Sequence, residues 1–154
     1  MRPFAFRAQV ALDLRRKRAE DAQRALAAAN AAVLRAEADL QASVCACDES
    51  KNRAVDEMRE RGDVATQMWY RNWILRQQRE IVVCRDVVTD RRSEADGARG
   101  RATKTHIDVK VLENLREKKW RAYTEEERRA EQKDIDWLAV LRSGRQDDSS
   151  KEIG

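Results

Sequence analysis

Apolar residues in this chain recur at helical rather than strand spacing, and they keep that spacing over unusual lengths. From Phe4 to Arg61 there is neither Pro nor Gly. Within that span Leu12, Ala19, Leu26, Val33, Leu40 and Cys47 follow one another every seven residues. Three residues beyond each of the first five stand Arg15, Ala22, Ala29, Ala36 and Ser43, so the second line of the seam is mostly small. A sustained seven-residue repeat of this kind marks a coiled-coil seam, not the wider stripe of a globular helix. The second half has its own register. Ile74, Ile81, Val88, Ala95, Ala102 and Val109 form one line, and Tyr70, Gln77, Cys84, Arg91, Ala98, Thr105 and Leu112 the other.

Between the halves, Arg59 to Thr66 reads RERGDVAT, and Gly62-Asp63 is the best break in the middle of the chain. The two registers agree with a fold-back there. Antiparallel partners share a constant sum of residue numbers, and Leu12 with Leu112, Leu26 with Ala98 and Leu40 with Cys84 all give 124, twice 62. The pattern predicts an all-α fold, a long two-helix antiparallel coiled-coil hairpin with its turn near Gly62. In detail it predicts one domain: a helix over 4–60, a turn over 60–65, a helix over 66–142 and a flexible tail over 143–154. Phe4 would lie opposite Trp120, leaving Arg121 to Leu141 as an overhang without a partner in the hairpin. Its seam decays to Tyr123, Glu126, Ala130, Lys133, Trp137 and Val140.

Composition agrees with this picture. Charged residues make up 39% of the chain, with only five Gly and one Pro. There is little with which to build the several turns of a compact globule, and much of the 42% hydrophobic content is alanine. Stability must therefore come from many thin layers. The 32 basic residues face 28 acidic ones for a net charge of +4, a mixed surface that argues against a nucleic-acid partner. No apolar run approaches the length of a membrane span, so membrane insertion is not expected. Three cysteines without zinc-like pairing point to a reducing, cytoplasmic setting.

Candidate chemistry is sparse. His106, the one histidine, flanks the seam without a nucleophile or acid beside it, and Cys45 and Cys47 point to different faces of one helix. No phosphate loop, metal motif or nucleophile elbow is present, so the expectation is no enzyme, no metal and no cofactor. The aromatics say more. In MWYRNWIL, just after the turn, the register turns Tyr70 and Ile74 to the seam, sets Trp69 outside and leaves Trp73 on the flank. Such rings either cap a thin coiled coil or form a binding patch, since Trp and Tyr dominate interface hot spots. The same choice applies to Trp120, Tyr123 and Trp137.

The stretch VLENLREKKWRAYTEEERRAEQKDID, Val111 to Asp136, resembles the C-terminal part of the flagellar export protein FliJ family, through Leu112, Leu115, Glu117, Tyr123, Glu131, Gln132, Lys133 and Asp136. FAFRAQVALDLRRKRAEDAQRALAAA, from Phe4, is similar to that family's start. The chain departs from the family pattern at Trp137, where many relatives carry an acidic residue, and in the small residues between Ser43 and Ser50. The resemblance implies a component of the flagellar type III export apparatus, and so of flagellum biogenesis, motility and chemotaxis. It implies a coiled-coil stalk that couples the hexameric export ATPase and its regulator to the cytoplasmic domain of the export gate, and that escorts export chaperones. The protein would be cytoplasmic and peripherally associated with the apparatus at the inner membrane. A gate patch would fall on Trp69, Trp73, Ile74, Gln77, Ile81 and Cys84. The ATPase end would carry Trp120, Tyr123, Glu131, Gln132, Lys133, Asp136 and Trp137. The alternatives are the related SctO/YscO stalk of virulence secretion systems and a generic coiled-coil scaffold.

Overall fold

A computed structural model describes residues 3–151, with side chains as far as Arg142. Two helices follow one another, α1 (Gln9–Glu60) and α2 (Val64–Lys151), with no strand among the described residues. They pack against each other as the predicted hairpin.

The turn is built from three local interactions. Gly62 has φ 59°, the left-handed conformation that closes a helix and that a β-carbon disfavours. Just before it, the Arg61 amide donates to the Glu57 carbonyl, the last helical bond of α1. Asp63 then caps α2. Its Oδ1 accepts from the Thr66 amide at 2.7 Å and its Oδ2 from the Thr66 hydroxyl at 2.9 Å. These two bonds hold the Asp63 carboxyl below its ordinary value.

The seam follows the heptads. On α1 every predicted seam position from Leu12 to Cys47 is buried or half-buried. On α2 the same holds for both lines from Tyr70 to Leu112 with one exception, Arg91. That arginine reaches outward to Glu94 at 2.8 Å, because its long stem can carry the charge clear of the seam.

Contacts divide the chain into two compact units, Arg16–Ile107 and the residues up to Arg15 together with those from Asp108 on. The heptads predict one domain. In a two-helix pair each layer touches only its neighbours, so no shared core binds distant layers together. In the unit Arg16–Ile107 the antiparallel course shows in three cross-helix contacts: Trp73 with Ser50, Cys84 with Ser43, and Arg92 with Glu37. Glu37 Oε1 accepts from both Nε and Nη2 of Arg92, at 3.2 and 2.6 Å. The buried side chains here are small: Ala36, Cys47, Val88, Ala95 and Ala98. In the other unit Leu12 and Val109 are buried, and Arg15 pairs with Asp108 at 3.3 Å.

The starts of both helices and the end of α2 differ from the sequence expectation, while α1 ends at Glu60 as expected. α1 starts at Gln9 rather than residue 4. None of residues 3–8, PFAFRA, offers a side-chain oxygen to cap an earlier start. The Phe4 ring instead packs on α2, against Trp120 and Tyr123. α2 begins at Val64 because Asp63 caps it there, two residues before the expected start. Its backbone is helical to Lys151, across most of the stretch expected as a tail. Arg145, Asp147 and Asp148 are no bar to a continuing helix, and Gly144 alone costs too little to end one. The remainder of the expected tail lies outside the described residues.

Candidate protein-binding surfaces

Two clusters of side chains stand out, one in each unit. The first follows the turn. Trp69 and Trp73 are four apart on α2, so their rings share a face, and they stack with centroids 6.0 Å apart and planes 9° from parallel. Tyr70 meets Trp69 edge-on at 4.9 Å. The Trp73 indole donates to Ser50 Oγ at 3.3 Å, and that hydroxyl donates in turn to the Ala46 carbonyl at 2.9 Å. The hydrogen bond fixes the flank ring against α1, while both tryptophans remain exposed.

Of the six residues expected to make the gate patch, the structure brings only Trp69 and Trp73 together on the surface. Ile74, Gln77, Ile81 and Cys84 are half-buried, turned toward α1 by the heptad. Within that seam Gln77 Oε1 is buried with no hydrogen-bond partner among the described residues. The Cys84 thiol lies 3.7 Å from the Ser43 hydroxyl. Sequence reasoning missed a further surface line, Met68, Leu75 and Val82, which are exposed at seven-residue spacing. The repeat was there to be found, but it lies outside the seam. On the same side Leu75 joins Ala54, Met58, Gln67, Tyr70, Arg71, Ile74 and Gln78 around a shallow groove between the helices.

The second cluster surrounds the start of the chain. Phe4 meets Trp120 edge-on at 5.1 Å and Tyr123 at 5.6 Å, and Trp120 stacks on Tyr123 at 5.8 Å. The segment Pro3 to Ala8 thus lies along α2, lining a groove with Leu115, Lys119, Ala122, Tyr123 and Glu126. Tyr123 donates its phenol proton to Glu127, and that bond raises the phenol above its ordinary value. Beyond this contact the helix is bare: every side chain from Glu131 to Arg142 is exposed. Glu131, Gln132, Lys133, Asp136 and Trp137 therefore lie on open helix, with Gln132 donating to Asp136 at 2.8 Å. Val140 of the fading seam is exposed beside them, as are Ile135, Leu138 and Leu141, which the fading heptad had hidden.

His106 is exposed, and the three cysteines are free. Among the described residues no group of three or more His, Cys, Asp or Glu is placed to hold a metal ion. No helix of the described residues is long and apolar enough to cross a membrane.

Two long helices joined by one turn and packed along heptad seams define, as a class, a coiled-coil hairpin protein. The family model described as Flagellar FliJ protein matches residues 5–148, nearly the whole chain, and the chain belongs to that family. It is thus a flagellar export-related coiled-coil protein. No curated protein and no solved structure matches it.

Proposed function

We propose that this protein is the stalk of a flagellar type III export apparatus, coupling the export ATPase hexamer and its regulator to the cytoplasmic domain of the export gate and escorting export chaperones. The role is mechanical, and no bond is made or broken by this chain. The observation that carries the reading is the open helix beyond the Phe4 contact. Within the family matched over residues 5–148, an exposed stretch bearing Ile135, Trp137, Leu138 and Leu141 calls for a covering partner. The ATPase is the partner we assign to it, engaging Trp120, Tyr123, Glu131, Gln132, Lys133, Asp136 and Trp137. The gate is assigned to Trp69 and Trp73, with Ile74, Gln77, Ile81 and Cys84 supporting that face from beneath. On this reading the protein works in the cytoplasm, peripherally at the inner membrane.

The test is co-elution with the type III export ATPase of the same organism on a sizing column with in-line light scattering. A complex is expected, and it should be lost in Trp137→Ala/Leu141→Ala at unchanged helicity. An intact variant complex would remove the ATPase assignment from this end of α2. Separately, Trp69→Ala/Trp73→Ala should weaken gate binding and leave the ATPase complex intact.

A further inference from the structure

α2 carries a second heptad line, one that α1 does not cover. Trp69, Trp73, Val83 and Val87 are 60%, 41%, 60% and 41% exposed. Arg76 and Glu80, both exposed, fill the interval. The six positions 69, 73, 76, 80, 83 and 87 advance in alternating steps of four and three, which is the spacing of a coiled-coil seam. The seam occupied by α1 runs instead through Tyr70, Ile74, Gln77, Ile81, Cys84 and Val88.

This outer line reads the same in both directions about position 78. Trp69 mirrors Val87, Trp73 mirrors Val83, and Arg76 mirrors Glu80. Apolar faces apolar throughout, and the one charged step is complementary to itself. A surface with that property suits an isologous two-fold contact, in which each residue meets its mirror in the other copy.

The two central charges also make no ion pair among the described residues. Five pairs of opposite charges four apart are joined on the surface, Glu20 with Arg24, Glu49 with Arg53, Glu57 with Arg61, Glu117 with Arg121 and Glu125 with Arg129, while others, such as Arg35 and Asp39 or Arg92 and Asp96, are not. In each joined pair the glutamate precedes the arginine, the favourable order along a helix. Arg76 and Glu80 have the reverse order, and no ion pair joins them to each other or to any described residue.

We infer that this face takes a second copy of the chain, α2 against α2 antiparallel, about a two-fold axis at position 78. Trp69 packs on the partner subunit's Val87, Trp73 on the partner subunit's Val83, and Arg76 pairs with the partner subunit's Glu80, each contact made twice. Arg79 flanks the axis and opposes its own copy, so the paired state is a modest one. The contact covers Trp69 and Trp73. The paired chain is then a reserve form that cannot present those rings to another partner, which goes beyond the stalk reading and does not depend on it.

Sedimentation equilibrium of the full chain tests this. The mass should rise with concentration from 17.8 kDa toward twice that value. Glu80→Arg or Arg76→Glu alone turns both ion pairs into repulsions and should raise the dissociation constant at least about tenfold. The double exchange Arg76→Glu/Glu80→Arg restores complementarity and should restore the dimer. Circular dichroism should be the same for all four proteins, since both sites are exposed. A single-chain mass at the highest soluble concentration overturns the inference. So does a dimer indifferent to either single reversal, or one that the double exchange fails to recover. ATPase co-elution is scored separately, so its loss would leave this result standing.

Discussion

Asp63 is the residue whose chemistry is most sharply defined. Its carboxylate accepts both the amide and the hydroxyl of Thr66, and its folded pKa lies below the unfolded one. The stability it contributes is therefore present above the ordinary carboxylate range and lost as the pH falls through the depressed folded value. Asp63→Ala should melt below the wild type at neutral pH, and thermal scans in increasing acid should bring the two curves together. A gap that persists in strong acid would show that the cap acts through something other than its charge. Gln77 runs the other way. Burying an amide oxygen without a partner costs about 1–3 kcal/mol, so Gln77→Met, similar in size, should raise stability by about 1 kcal/mol. Urea denaturation would read this directly. At Leu12, wholly buried, truncation to Ala should cost about 2 kcal/mol, the low end for a leucine because the two-helix seam is thin.

At the scale of elements, α2 has two glycines that no contact demands. A β-carbon at Gly97 would meet only the Arg101 Nη1, at 3.5 Å, and at Gly100 nothing within 4 Å. Each Gly→Ala change should stabilise the helix by about 1 kcal/mol, measured by chemical denaturation. No gain at either site would mean that α2 is already frayed there. Elements are also where the sequence was most legible. A strict seven-residue repeat sets which face is buried regardless of neighbours, so the seam from Leu12 to Leu112 could be read directly, as could the turn from Gly62-Asp63. The helix start could not be, because residues 3–8 exchange backbone hydrogen bonds for the packing of Phe4 on Trp120, a contact between residues far apart in the chain. The same limit applies to the sites. Heptad phase could place Trp69 outside, but its stacking on Trp73 and the bond from Trp73 to Ser50 depend on rotamers that spacing leaves open.

For the whole molecule, the surface divides the labour that the seam leaves undone. The seam consumes alanines and short aliphatics, while most of the tryptophan stays outside, on Trp69, Trp73, Trp120 and Trp137. Hydrophobic area left exposed in such large units adds little to the stability of the fold, and on the proposed reading it is what partners would cover. Amide hydrogen exchange should separate the two roles. Ala95 to Val109 should exchange slowly in the isolated chain and Glu131 to Arg142 quickly, and on the proposed stalk reading added export ATPase should slow the latter. Equal protection of both stretches in the free protein would mean that the bare helix has already found a cover.

The antiparallel pairing of the two helices also governs how the chain can change in length. Removing seven residues from α1 alone keeps every apolar position on its face, so a hairpin would still zip. Beyond the excision, however, each layer would meet the layer one heptad along from its former partner, and an excision between Glu37 and the turn would leave the bond from Arg92 to Glu37 without a mate. Only deletions made in mirror image about Gly62 preserve both face and partner. The two arms are thus bound to lengthen or shorten together, like entries in a palindrome edited from both ends.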